Sequence, residues 1–239
     1  MTAIGFQVSS VKPYLTTPQG VLESFHKLAD IGYRTVQVQW VDPSVPDEWV
    51  AEALQQSGLT CVSGQDRFEA VQESFDRWLR ALELWNAETL CVSGIPVSQR
   101  TAEGVAAFAQ TLQAMAAALA ERGKRLSFHP LAADYACLPD NSAVDRLLDG
   151  GSHALDLTLC VYHAVQAGLS PQALLARYGN RVTMAHFKDY VTDAQGRAVL
   201  TPVGQGLIGW PDIAKACQKA GVRWAFAEQE TWDKDAFAC

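Results

Sequence analysis

No apolar run in the sequence approaches the roughly 18 residues that a membrane-crossing helix needs. The opening residues, MTAIGFQVSS, lack the basic and apolar regions of a secretory signal. A soluble, cytoplasmic protein is expected. Basic residues are in the minority: 19 Lys and Arg stand against 26 Asp and Glu, a formal charge of −7. Such a balance disfavours nucleic-acid partners, whose phosphates call for a basic surface. The six cysteines (Cys61, Cys91, Cys137, Cys160, Cys217, Cys239) form no CxxC pair and no repeated spacing. That argues against a zinc knuckle or a disulfide framework and for buried, reduced thiols. No GxGxxG follows the first apolar run and no GxxxxGK(S/T) occurs, so the usual dinucleotide and phosphate-loop signatures are missing. Linkers and low-complexity tracts are missing too, which leaves residues 1–239 as a single domain.

What the sequence does have is alternation. With 49% hydrophobic and 19% charged residues its composition is that of a packed protein. Short apolar runs recur at residues 4–8, 35–40, 60–64, 88–94, 125–129, 153–160, 182–187 and 224–229, and seven of them are followed by segments of helical periodicity. Thr17 and Pro18 read as the N-cap and first position of a helix whose Val21, Leu22, Phe25 and Leu28 share a face. Further helices are expected at residues 46–56, 70–85, 102–122, 144–148, 170–178 and 211–219, with a plain loop at 188–208. Near-continuous apolar strands joined by helical crossovers make a parallel sheet covered by helices. Eight of them predict an α/β fold, a (β/α)8 TIM barrel, here lacking most of the final helix because the chain ends at Cys239.

In that barrel the chemistry sits at the C-terminal ends of the strands. Strands five to eight end with His129, with Cys160 and His163, with His186, Lys188 and Asp189, and with Glu228, Gln229 and Glu230. Three of five histidines thus gather at one rim, while His26 and His153 fall elsewhere and read as surface or capping residues. Imidazole, thiolate and carboxylate converging on one point suit Zn²⁺ or Mn²⁺ better than Ca²⁺. A divalent ion in a sugar site polarises a carbonyl and its neighbouring hydroxyl and so stabilises an enediolate. Trp40, at the end of strand two, and Trp210 have the ring area to stack on a sugar or simply to pack. VGQG, residues 203–206, reads as a glycine turn ahead of a helix, with an anion cradle as the other reading.

At HFKDY (186–190), VGQGLIGWPDI (203–213) and AFAEQETWDKDAF (225–237) the sequence resembles the sugar phosphate isomerase/epimerase family, the xylose isomerase-like barrels that include inosose dehydratase-like proteins. The likeness runs the length of the chain and is strongest after residue 180. It implies a metal-dependent isomerase, epimerase or dehydratase acting on a sugar, keto-sugar or polyol. The family's metal-binding His and Glu fall on His186 and Glu228, and its substrate-contacting Lys and Asp on Lys188 and Asp189. The strand-six Asp that is a metal ligand in the family falls on Cys160, with His163 three residues on. Asp156 lies four strand residues earlier, roughly 13 Å below the rim, and is no substitute. At strand five the family's H-N-H-x-x-E-F becomes HPLAADY, with His129 and Asp134 keeping polar character and Leu131 replacing the second His. The implied site is therefore His186, Glu228, Cys160 and His129 around a divalent metal (Zn, Mn, Co or Mg), Lys188, Asp189 and Trp40 on the substrate, and His163 or Asp134 handling protons. A thiolate in place of a carboxylate weakens a hard Mg²⁺ site and favours Zn²⁺. Two other readings follow: a degenerate barrel that binds a sugar or protein partner without turnover and, with weaker support, a multi-metal endonuclease. The groove beside the missing helix is an association liability that predicts a homo-oligomer.

Overall fold

The eight apolar runs close on themselves. The computed structural model describes residues 2–149, 155–232 and 235–238. Eight parallel strands pair in the order β1 (Ala3–Gln7), β2 (Thr35–Gln39), β3 (Thr60–Arg67), β4 (Thr89–Ser93), β5 (Arg125–His129), β6 (Leu155–Cys160), β7 (Val182–Phe187) and β10 (Trp224–Ala227), which returns to β1. Helices cover the outside, as expected of a (β/α)8 barrel. In α1 (Pro18–Ile31) Thr17 caps the helix, its hydroxyl accepting from the Gly20 amide at 3.1 Å, and Val21, Phe25 and Leu28 are fully buried. The long α5 (Ala102–Ala120) turns Val105, Phe108, Leu112, Ala116 and Leu119 inward in the same way.

Three expectations change. The helix foreseen at 70–85 is two, α3 (Phe68–Glu73) and α4 (Phe75–Leu84), broken at Ser74, whose backbone is non-helical and whose hydroxyl donates to the Ala70 carbonyl. Strand β3 runs three residues further than expected because Gln65, Asp66 and Arg67 pair with Cys91, Val92 and Ser93 of β4. The expected loop at 188–208 contains an antiparallel hairpin, β8 (Asp189–Thr192) with β9 (Ala198–Thr201), before α10 (Trp210–Ala220). His153, and with it the start of the sixth run, lies outside the described residues, as does Cys239. Beyond β10 the described residues hold only a short turn at Ala236–Ala238.

Two layers fill the barrel. Val62, Cys91, Met184 and Phe226 form an apolar plug separate from the main core. Gly5 makes room for it: a Cβ there would stand 2.8 Å from the Phe226 ring. Toward the C-terminal rim the inward side chains turn polar yet stay buried, among them Gln7, Gln37, Ser63, Gln65, His129 and His186. Side chains two residues apart on a strand share a face, so His186 sits directly above Met184 and Glu228 above Phe226.

Candidate metal and sugar site

Four strands deliver one donor each to the floor of the C-terminal cleft. His129 ends β5, Cys160 ends β6 and is the register partner of His186 on β7, and Glu228 follows β10. One ligand atom each from His129, Cys160 and His186 lie within 4.8 Å of one another. The His129 and His186 ring centroids are 4.7 Å apart, and His186 Nδ1 faces Glu228 Oε2 at 3.2 Å. None of the four is more than 4% exposed. Among the described residues both ring nitrogens of His129 have no hydrogen-bond partner, and Nδ1 of His186 and Oε2 of Glu228 face only each other. A buried polar atom left unpaired costs roughly 1–3 kcal/mol, and a cation bound where several of them converge would remove that cost. A nitrogen and an oxygen sharing one ion at about 2.0–2.2 Å stand a little over 3 Å apart, as His186 and Glu228 do. The donor set fits a divalent metal.

Charge organises the same floor. Lys188, buried beside the cluster, reaches Glu228 Oε1 at 3.2 Å and Glu230 Oε2 at 2.7 Å. Burial opposes its ammonium, but the two carboxylates outweigh burial and push its pKa up. Burial likewise opposes the Glu228 carboxylate, yet Lys188 and His186 hold it well below its ordinary value. Burial pushes the Cys160 thiol up to about 12, with Lys188 offsetting only part of it. The thiol is thus neutral until an ion displaces its proton. His163, whose ring lies 5.7 Å from that of His129, is brought down to about 4, first by burial and then by Lys188. His129 is held lower than an ordinary histidine by burial and by its histidine neighbours.

These shifts carry a pH dependence. An unfolded histidine titrates near pH 6.5, so between about 6.5 and 4 the unfolded chain binds protons that folded His163 and His129 refuse, and stability falls as pH drops through that window. Glu228 acts at lower pH, its contribution being lost only as pH falls below the unfolded carboxylate range near 4.3. The urea midpoint of the metal-free protein should decline from pH 7 to pH 5, and His163→Gln should flatten the decline. A midpoint constant across that range would contradict the neutral-histidine floor.

Above the floor opens a cleft of about 510 Å³ whose wall includes Gln39, Trp40, Gln65, Leu131, His163 and Glu230. Trp40 takes a left-handed backbone conformation, φ +58°, and Lys12 Nζ lies 4.7 Å from its ring centroid. The structure does not bring the other two expected carboxylates to this cleft. Asp134 is buried and accepts from the Leu131 and Ile95 amides at 2.8 and 3.1 Å and from Arg100 at 3.1 Å, pinning the loops that follow β4 and β5. Asp189 accepts from the amides of Tyr190, Gly204, Gly206 and Ile208 and from Trp210 Nε1, at 2.7–3.3 Å. The VGQG segment is therefore a turn and an anion cradle at once, and the anion is the chain's own Asp189. Gly206 is obligatory, since a Cβ would collide with that carboxylate. Asp156 is clamped by Arg125 through two 2.6 Å bonds at the far end of the barrel.

A family model for xylose isomerase-like TIM barrels matches residues 25–236. The chain belongs to that family. Among solved structures, a sugar phosphate isomerase/epimerase from Parabacteroides distasonis ATCC 8503 superposes with a TM-score of 0.78 at 15% identity, over 100% of this chain and 94% of its own. IolI protein, with a bound zinc atom, gives 0.76 at 13% identity, over 100% of this chain and 91% of its own. Escherichia coli 3-keto-D-glucoside 4-epimerase, YcjR, gives 0.67 at 14% identity, over 99% of this chain and 95% of its own. At these identities the likeness is one of fold. No curated protein sequence matches the chain. Within this xylose isomerase-like barrel, sequence reasoning missed Gln37, which bonds His186, and placed Glu230 at the rim without the role it has in holding Lys188. The signal for Gln37 was present: TVQVQ alternates polar and apolar residues where an all-apolar strand would otherwise run.

Proposed function

We propose that this xylose isomerase-like barrel is a divalent-metal-dependent isomerase, epimerase or dehydratase acting on a small keto-sugar or polyol. The observation that carries the reading is the set of buried, unpartnered donors on consecutive strands: His129, His186 and Glu228, with the Cys160 thiol beside them. These four residues would hold the ion. When bound, it supplies Lewis-acid polarisation of a substrate carbonyl or hydroxyl oxygen. The thiol makes Zn²⁺ or Co²⁺ better occupants than Mg²⁺. Lys188, kept charged by Glu228 and Glu230, holds a substrate oxygen at the cleft floor. His163 stays neutral at working pH and offers a lone pair to a proton on the carbon beside the carbonyl, while Asp134 and Asp189 position backbone and take no part in proton transfer. Trp40 provides an apolar wall for the ring or chain of the sugar.

Zinc- or cobalt-loaded protein incubated with ketoses and inososes in D2O should exchange the proton α to the carbonyl, read by loss of its NMR signal. His163→Gln should slow exchange by about 10²- to 10⁴-fold, the usual contribution of a general base. A second reading, binding without turnover, draws on Leu131 in the cleft wall and on the engagement of Asp134 with backbone amides. Saturable ligand binding with no exchange in any metal form would decide for it.

A further inference from the structure

Beneath the donor cluster runs a chain of amides. His186 Nε2 meets Gln37 Oε1 at 2.6 Å, Gln7 Nε2 donates to the same oxygen at 2.8 Å, and Gln37 Nε2 donates to Ser63 Oγ at 3.1 Å. Gln7, Gln37, Ser63 and His186 are all fully buried, so no solvent competes for these bonds. In this setting the imidazole carries its proton on Nε2. Its Nδ1 then presents a lone pair to Glu228 Oε2, and Nδ1, that oxygen and Gln7 Oε1 are left unpartnered.

A carboxamide turned by 180° occupies the same volume with donor and acceptor exchanged, so the network has a second setting. With both glutamines turned, Gln37 Oε1 accepts from the Ser63 hydroxyl, and Gln37 Nε2 donates to Gln7 Oε1 and to His186 Nε2. The ring proton then sits on Nδ1 and is donated to Glu228 across the 3.2 Å gap. That setting partners His186 Nδ1 and Glu228 Oε2, which the first leaves bare, while it exchanges a bare Gln7 oxygen for a bare Gln7 amide nitrogen and draws the Ser63 hydroxyl away from the Gly64 carbonyl. The first leaves Nδ1 and the carboxylate unpaired unless a cation is bound, and Gln7 Oε1 bare in either case. The two settings differ by one ring proton, two amide rotations and one rotation of the Ser63 hydroxyl.

We propose that Gln37, backed by Gln7, is a positioning pair that sets which nitrogen of His186 carries the proton, and that metal loading switches the pair from one setting to the other. The inference rests on the metal reading given above, but its first half stands without the ion. A hydrogen bond to the outer nitrogen of a ligating histidine fixes the ring's tautomer and orientation, and its loss typically weakens metal affinity by about 10- to 100-fold. An ordinary anchor for such a ring has one polarity; here the amide pair offers both.

Nitrogen-15 NMR of the His186 ring at pH 7.5 tests this in the intact protein, with Zn²⁺ alone as the probe. Metal-free wild type should show the proton on Nδ1, and zinc-loaded wild type should show it on Nε2 with Nδ1 shifted by coordination. Gln37→Leu should lose the Nδ1 preference in the metal-free state and bind zinc about 10- to 100-fold more weakly, whereas Gln37→Glu, which keeps an acceptor at the ring, should hold the proton on Nε2 and restore most of the affinity. A metal-free ring protonated on both nitrogens, a proton on the same nitrogen before and after loading, or a Gln37→Leu spectrum like that of wild type would overturn the proposal. Should zinc fail to reach His186, the metal reading falls. The metal-free spectra of wild type and Gln37→Leu then still decide, by the same criteria, whether Gln37 sets the ring.

Discussion

His186→Ala should abolish stoichiometric zinc binding. The variant removes the central donor, the one whose Nδ1 lies 3.2 Å from Glu228 and whose ring is 4.7 Å from that of His129. Outer hydrogen bonds to a metal ligand are typically worth about 10- to 100-fold in affinity, so loss of the ligand itself should exceed about 100-fold. Competition against a chromophoric chelator reads the affinity directly. Zinc at about 100 times its dissociation constant should stabilise the wild type by about 2.7 kcal/mol, a rise of several degrees in Tm for a chain of this length, and His186→Ala should show no such rise. Glu228→Gln should behave similarly, while leaving Lys188 its bond to Glu230. Zinc held by His186→Ala at wild-type affinity would remove this cluster from consideration. Cys160→Asp should move the preference from Zn²⁺ toward Mn²⁺ and Mg²⁺, because it puts a hard oxygen donor where the thiol stands.

The second large effect belongs to Asp189, through the backbone it organises. Its carboxylate gathers four amides and an indole, one amide from within β8 and the rest from the segment that follows β9, as far as Trp210. These bonds draw the carboxyl below its ordinary range although burial opposes the shift. Charged hydrogen bonds contribute roughly 1.5–3 kcal/mol each, and context reduces their sum. Asp189→Asn keeps the volume but replaces one acceptor oxygen by a donor facing amides. A loss of about 3–5 kcal/mol is expected, read as a lower urea midpoint and a Tm lower by about 10 °C. Hydrogen exchange should localise the loosening to residues 189–210. A change below about 1 kcal/mol would mean that water replaces the lost bonds and that Asp189 is no structural hub.

The architecture was legible because strand and helix differ in period, and eight repetitions reinforce one another: the seven expected helical segments and eight strands all have counterparts, although the start of the sixth run lies outside the described residues. Boundaries failed where pairing overrode local signals. Gly64 reads as a stop, yet β4 offers partners as far as Arg67. The β8–β9 hairpin was invisible because it sits off the barrel with Val191 and Val199 exposed, so no buried face imposes a pattern on it. At the rim, histidines, the thiol and Glu228 could be grouped from strand ends alone. The roles of carboxylates could not, since Asp134 and Asp189 have the same chemistry whether they meet a ligand or a loop's own amides. Which one they meet depends on residues 15 or more positions away, such as Gly204 and Gly206 for Asp189.

Trp40 faces the cleft on a backbone that only glycine adopts freely, φ +58°. A bulky side chain held there costs on the order of 1–3 kcal/mol. Selection for heat resistance alone would therefore drift toward small or flexible residues at this codon, and each such gain would strip the entrance of its broadest apolar surface. Ruggedness and apolar contact at the cleft pull in opposite directions at one position, and the tryptophan found there gives up the first for the second.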